Sequence, residues 1–488
     1  MSALISMMYE SKIWNYTALP VLLIQASMLH PHYESNEMYR TIRFMLAPII
    51  IYLTISSQHD RMFKPLEDFV HMNYALVAIP SFHVIAITLQ YAYQRGPVLL
   101  NDLGKKKRSQ DYNQSENSLI SDESESADTT CSESTEVIKT PLKLNHNQLL
   151  QKSKYIIKSK RRLLVDSPSP SWGEIVKFSS NLITSPRGLQ YVWAPPSYVC
   201  SRAPKKSIAK FVWEQTSWLI LNQIGLIIEA AFAVPATQHP SGPHGYMTEV
   251  LGIPDSSLLQ ICSDYIGLAF YGSIGYHALT IAAACINLIE LLWYTLASRL
   301  LPDEFAPAPF DTTLYPHLFN YPNFKTSITE FWSRGWHCVF RTNFVFLGSE
   351  PFGRIAKPFG PRAVRLASMM GAMLISGLMH EWGTIFVANR IDWNFEATRF
   401  FLMMGVGVAI ESILKTTLGF KFSGVLGNIW VFSWFGFWGN PFMKVWLDRG
   451  VGSSGITCPC EITDWPLARF LVPLGPLLPD SVFKHVTF

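Results

Sequence analysis

Eight stretches of this chain carry almost no charge. They run near 13–30, 41–57, 70–93, 209–234, 259–297, 366–388, 399–419 and 425–446. Most are close to the ~20 residues a helix needs to cross a hydrocarbon core. Only 16% of the 488 residues are charged and 49% are hydrophobic, where a soluble chain carries about 25% charged residues. Mean hydropathy is +0.16. The pattern predicts an all-α, polytopic integral membrane protein with about eight transmembrane helices. The stretch at 259–297 is too long for one simple span. It reads either as one long tilted helix or as two helices with a break near Gly272 and Gly275.

The polar segments divide the chain. Residues 1–100 hold the first three spans. Residues 101–168 are Ser/Glu/Asp-rich between two basic clusters, Lys105 to Arg108 and Lys152 to Arg162. Such a composition buries too little apolar surface to order itself, so it reads as a disordered linker. Its basic clusters place it in the cytosol by the positive-inside rule. Residues 169–449 form a membrane core, and 450–488 an irregular, proline-rich tail. The first apolar segment contains Pro20 and Gln25 and has no small-residue cleavage site after it. Insertion into the endoplasmic reticulum through internal spans is therefore expected. The seven cysteines form no paired framework. Cys458 and Cys460 are the only close pair and lack a second Cys/His cluster, so reduced thiols are expected and no metal site. A net charge of +4 implies no nucleic-acid partner. The sequence contains no fixed-period repeat and no inverted duplication, and it leaves the oligomeric state open.

His380 and Glu381 lie within the apolar stretch 366–388. An ionisable pair at membrane depth is costly and faces a protein interior or a wet cavity, so it marks a functional site by default. The bland alternative is a histidine that hydrogen-bonds a neighbouring helix and only packs. Histidine's reference pKa of about 6.5 suits proton transfer near neutral pH. On a helix, Ser376 and Thr384 lie four residues either side of His380 and share its face. Either can orient the imidazole or meet a substrate. Glu381 points about a quarter-turn away, so it is not the third member of a simple triad. Glu411 and Glu290 are further intramembrane carboxylates, read as structural or cavity-lining groups. His71, His83 and His277 have no motif around them and read as packed or hydrogen-bonded histidines. Gly377 and Gly383 remove bulk beside His380, with plain helix packing as their first explanation.

A second cluster lies at 327–342, where the spacing predicts a short amphipathic helix. Trp332, Trp336 and Phe340 recur every four residues on one face. Ser333, Arg334, His337 and Arg341 share another. Such a helix suits the membrane interface. Arginines on one face can also hold an anionic group, such as the phosphates of coenzyme A.

Pro316 to Phe319, Pro322, the run from Ser327 through Trp336 and His337, and Ser376 to Trp382 with His380 and Glu381 together resemble the wax-synthase branch of the membrane-bound O-acyltransferases. The resemblance is strong over about 310–390, loose over the rest of the core, and does not reach the linker. It implies acyl transfer from coenzyme A to a hydroxyl, with acyl-CoA as co-substrate, a small hydrophobic alcohol and membrane lipids as partners, and no tightly bound cofactor. His380 and His337 match the family's two site positions. His380 is then the general base, and His337 donates to the thioester oxygen. Arg334, Arg341, Trp336, Ser376 and Thr384 are candidates for substrate contact, and Glu381 and Glu411 for support. One departure is Gly335, where the branch usually has a second arginine. Length, the Ser/Glu-rich insertion and the proline-rich loop before the motif are more similar to fungal enzymes that acetylate terpenoid and meroterpenoid alcohols. Acetyl-CoA is thus the expected donor, in secondary-metabolite biosynthesis. The runner-up is a wax synthase joining fatty acyl chains to long-chain alcohols. A proton-coupled transporter leaves the Trp336–His337 cluster unexplained, and a membrane scaffold ignores both histidines.

Overall fold

The computed structural model describes residues 17–33, 36–63, 74, 78–94, 169–191, 201–388 and 390–449. The expected linker, the C-terminal tail with Cys458 and Cys460, and His71 lie outside the described residues. No β-strand forms among the described residues. A helix occupies each of the eight apolar stretches. In chain order these are α1 (Ala18–Ser27), α2 (Glu37–Phe63), α3 (Ile79–Tyr93), then after the amphipathic α4 (Trp172–Ile183), α5 (Ile208–Gln238), α6 (Ser257–Leu300), α7 (Gly360–Ala388), α8 (Glu396–Thr417) and α9 (Gly424–Leu447). Among the described residues, four helical stretches are both long and apolar enough to cross a membrane: Glu37–Ser56, Ser257–Leu300, Lys357–Ile385 and Glu396–Thr417.

The first three helices and α4 close around Leu22, Ala26, Ile50, Ile87, Tyr91 and Leu182. Polar groups inside this bundle tie helix to helix. Gln25 is fully buried, and its Nε2 donates to the carbonyls of Arg43 (2.9 Å) and Thr88 (3.3 Å). Arg43 donates to the carbonyls of Met28 (3.1 Å) and Gln94 (3.0 Å), which end α1 and α3. A cation there meets the negative end of each helix dipole. Ser171 starts α4 with a capping box to Glu174. Trp172 and Val176 stay exposed on its outer face.

The long stretch forms one helix. Gly272 and Gly275 do not break α6, because a lone glycine costs a helix only about 1 kcal/mol and no proline lies within it. Its 44 residues span about 66 Å at 1.5 Å each. That is about twice the ~30 Å hydrocarbon core, so strong tilt or projecting ends are required. It packs on α5 through a polar seam. His277 Nδ1 meets Asn222 Oδ1 at 2.8 Å, Asn287 donates to Gln215 at 2.8 Å, and Thr237 meets Tyr271 at 2.8 Å. His277 thus pairs between helices, as its sequence context suggested. Gly225 opens the slot for its ring.

The amphipathic helix expected over 327–342 is not formed, and this corrects the sequence reading. Helix runs through Ile328–Glu330 and widens into a π turn, Phe331–Gly335, closed by Trp336 N to Phe331 O at 2.7 Å. Trp336 then turns to extended backbone (φ −80, ψ 160), and helix resumes only at Arg341. The cause is tertiary. Gly335 is buried against Pro322 and Lys325, and its carbonyl accepts from Asn320 N at 2.9 Å. Spacing by four therefore does not carry one face across the segment, although Trp332 and Trp336 still meet ring to ring at 6.3 Å.

Glycines set how closely the segment after the break can lie on α7. A Cβ on Gly371 would sit 2.6 Å from the Gly348 carbonyl oxygen. Backbone opposes backbone there, so neither side can yield cheaply. We expect Gly371→Val to destabilise the fold by about 1–3 kcal/mol, read as a lower unfolding temperature of detergent-purified protein. Gly272→Ala faces open space and should leave that temperature unchanged or slightly raised.

Candidate active site

His380 sits on α7, half-buried among aromatic rings from other helices. Phe401 of α8 lies face to face with its imidazole, centroids 4.7 Å apart at 16°. Phe442 of α9 presents an edge at 5.8 Å and 85°. Tyr74 approaches from the N-terminal part of the chain, its Oη 2.8 Å from His380 Nδ1. This tyrosine carried no motif signal. The aromatic cage likewise came from single phenylalanines in apolar runs, with nothing in their spacing to mark them.

His337 lies in the extended stretch after the π turn, and the contacting rings of Trp336, Trp332 and Phe401 join it to His380. Phe319 (5.8 Å), Trp336 (5.6 Å) and Phe340 (6.4 Å) surround its ring. Burial, with the nearby Arg187 adding to it, holds its imidazole below the ordinary range, at about 4. At neutral pH it is therefore uncharged, with one N–H to donate. Its Nδ1 is enclosed and has no hydrogen-bond partner among the described residues. Trp332 links the two histidine environments through Phe401 at 5.4 Å.

Both supporting carboxylates serve helix N-termini. Glu381 accepts from Thr398 N at 2.9 Å, in the first turn of α8. Glu411 accepts from Ile328 N (2.6 Å), Thr329 N (3.0 Å), Thr329 Oγ1 (2.6 Å) and Trp430 Nε1 (2.8 Å). Free N–H groups and the positive end of the dipole favour an anion at such places. Neither carboxylate is bonded to His380, which fits the quarter-turn offset of Glu381.

Ser376 and Thr384 are buried on α7. Thr384 Oγ1 donates to the Glu381 carbonyl at 2.8 Å. At Nδ1 it is Tyr74, rather than this threonine, that meets the imidazole. Trp336 packs on Phe319 (4.7 Å) and stacks on Phe331 (5.5 Å, 17°). Arg334 is exposed and Arg341 half-buried. The arginine beside His337 is instead Arg187, which follows α4 and donates to the Pro316 carbonyl at 3.0 Å. Arg187, Gln215, Trp218, Asn287, His317 and Phe319 line a pocket between α5, α6 and the loop before the motif. Burial, with Lys206 and Arg187 outweighing Glu214, holds His317 below its ordinary range. Phe319, one wall of this pocket, also touches His337. His83 of α3 meets Asn343 at 2.8 Å beside Phe340. Gly377 packs on the Thr398 backbone and Gly383 on the Tyr74 ring. No cluster of metal-ligating side chains occurs among the described residues.

Residues 315–403 match the membrane bound O-acyl transferase family. That stretch holds both histidines, Glu381 and the broken helix. A long-chain-alcohol O-fatty-acyltransferase of Simmondsia chinensis is 33% identical over 121 residues, 24% of this chain and 33% of that protein. An acyl-CoA–sterol O-acyltransferase of Arabidopsis thaliana is 29% identical over 108 residues, 22% of this chain and 31% of its own length. The acetyltransferase ple2 of Rhodocybe pseudopiperita is 22% identical over 280 residues, 54% of this chain and 64% of that enzyme. The matched part thus spans about one third of the plant relatives. No solved structure matches. The chain resembles the wax-synthase-like members of this family, and the longer match relates it to a fungal acetyltransferase.

The Glu411 clamp generates a prediction. Glu411→Ala leaves two backbone N–H groups, a hydroxyl and an indole N–H without their acceptor. A buried hydrogen bond to a charged group is worth about 1.5–3 kcal/mol. We expect a lower unfolding temperature and easier proteolysis between residues 301 and 340, with Glu411→Gln intermediate. Limited proteolysis of the two variants in detergent checks this.

Proposed function

We propose that this chain is an acyl-CoA-dependent O-acyltransferase that moves an acetyl group from acetyl-CoA to a hydroxyl of a terpenoid or meroterpenoid metabolite. The observation that carries the reading is that His380 and His337, both in the family-matched segment, are joined by the contacting rings of Trp336, Trp332 and Phe401. On this reading the protein crosses the endoplasmic reticulum membrane about eight times, with the linker 101–168 in the cytosol. Membrane lipid surrounds the spans.

His380 takes the proton of the alcohol as its oxygen attacks the thioester carbon. The C–S bond then breaks, and the proton passes to the departing thiolate. A positioned base of this kind contributes ~10²–10⁴-fold. His337, uncharged at neutral pH, donates its N–H to the carbonyl oxygen as negative charge grows there. A preorganised donor in a dry site serves that role well. The cationic Arg187, in a pocket that shares Phe319 with the surroundings of His337, is the candidate contact for the anionic part of the donor. Arg187 then stands where Arg334 and Arg341 were expected to act.

The choice of acetyl rests on the longer match to the acetyltransferase of Rhodocybe pseudopiperita. The plant relatives, at 33% identity over a shorter segment, favour the second reading, a fatty acyl ester of a long-chain alcohol. Microsomes from yeast expressing the chain separate the two, offered acetyl-CoA or palmitoyl-CoA with terpenoid and fatty alcohols. We expect one acetyl group on a terpenoid alcohol and little ester from hexadecanol with palmitoyl-CoA. Efficient wax-ester formation without acetylated terpenoid would reverse the choice. His380→Ala should abolish transfer at unchanged protein level, and activity within a few-fold of wild type would remove the general base.

A further inference from the structure

The base in this reading needs its imidazole held in one tautomer, and neither Ser376 nor Thr384 meets its Nδ1. The residue at hydrogen-bond distance is Tyr74, with Oη 2.8 Å from Nδ1 and 306 positions away in sequence. Three further observations fix the tyrosine there. Gly383 lacks the Cβ that would strike the edge of its ring. Trp446 of α9 closes the other side edge-on, at 4.4 Å and 89°. Trp382, between His380 and Gly383, donates from Nε1 to Ser81 Oγ of α3 at 3.0 Å. That last bond ties α7 to the helix that begins shortly after Tyr74.

We propose that Tyr74 is the positioning residue for His380. Its phenol oxygen accepts a hydrogen bond from Nδ1–H and so leaves Nε2 bare to take a proton from the substrate. The inference deepens the acyltransfer reading and rests on it for its kinetic consequence. A neutral imidazole has one N–H. If Nδ1 were the acceptor, the proton would sit on Nε2, and that nitrogen would be no base. Donation from Nδ1 to an oxygen is the arrangement by which other catalytic histidines are oriented. The imidazolium formed during transfer keeps the same bond, so no group need reorient at that moment. Gly383 then has a specific role, because the space it leaves admits the ring that orients the histidine three residues before it.

The test uses Tyr74→Phe in the full chain, which keeps the ring between Gly383 and Trp446 and removes only the hydroxyl. Histidine-labelled protein in lipid is measured by ¹⁵N solid-state NMR, with the His380 signals assigned by their loss in His380→Ala. We expect a protonated Nδ1 and bare Nε2 in the wild type, and a redistributed tautomer in Tyr74→Phe. Transfer by Tyr74→Phe should fall in kcat by about tenfold or more, the worth of one such hydrogen bond. KM for acetyl-CoA should stay within about twofold, since the substitution spares donor binding. A wild-type His380 protonated on Nε2, or nitrogen signals and kcat unchanged in Tyr74→Phe, would overturn the assignment. A wild type that transfers no acyl group from any donor would instead sink the proposed function. The nitrogen spectra alone would then decide the tyrosine.

Discussion

The site depends on one carboxylate. Glu411 lies on α8, yet its four hydrogen bonds go to the segment before His337 and to Trp430 of α9. A charged group in an apolar core is costly alone and tolerable when every lone pair finds a donor. Here the donors are the N–H groups that a helix start leaves free. The carboxylate therefore fixes where the turn Ile328–Glu330 begins. The π turn after it widens the backbone by one residue, and Gly335 ends it against Pro322 and Lys325. His337 is placed by this chain of constraints rather than by a helix of its own. Glu381 repeats the device at the start of α8, which carries Phe401 onto His380. Glu381 and Glu411 thus each hold backbone N–H groups at a helix start, and the two imidazoles are left to the aromatic interior.

Much of this was legible in the sequence, for a physical reason. Apolar runs near twenty residues long fold as helices because their backbone groups must bond within the run. The positions of α2, α5, α6, α7, α8 and α9 follow from that alone. His380 stood out because an ionisable group among Leu366 to Ala388 is expensive. The broken helix was not legible. Residues 327–342 have good helical spacing, and what ends the helix is the packing of Gly335 on residues ten and more positions upstream. Gly335 did appear as a departure from the arginine usual there. Its consequence needed the fold, for a long side chain would have to displace Pro322 or Lys325.

Partners from distant segments were equally hidden. Tyr74, Ser81 and His83 reach into the motif region from the first hundred residues, bonding His380, Trp382 and Asn343. Each belongs to an apolar stretch in which a lone polar residue reads as packing. Arg187 follows α4, and Arg334 and Arg341 were more conspicuous because they flank His337 in sequence. Proximity in sequence favoured those two, while the turn at Trp336 undoes the helical faces that would have joined them.

Acyl transfer to an alcohol competes with hydrolysis, and the difference is made by water. A thioester carbonyl poised beside a neutral base would be attacked by any water that reached it. On the proposed reading, the rings of Phe401, Phe442, Phe319 and Trp336 therefore do more than pack. They offer neither donor nor acceptor to hold a water, apart from the indole N–H, and they fill the space around the two imidazoles. The polar seam between α5 and α6 has the opposite character, but its groups pair with one another across the helices. On the proposed reading, aromatic surface stands where the reactive ester would lie, an arrangement that would favour transfer to an apolar alcohol over loss of the acyl group to solvent.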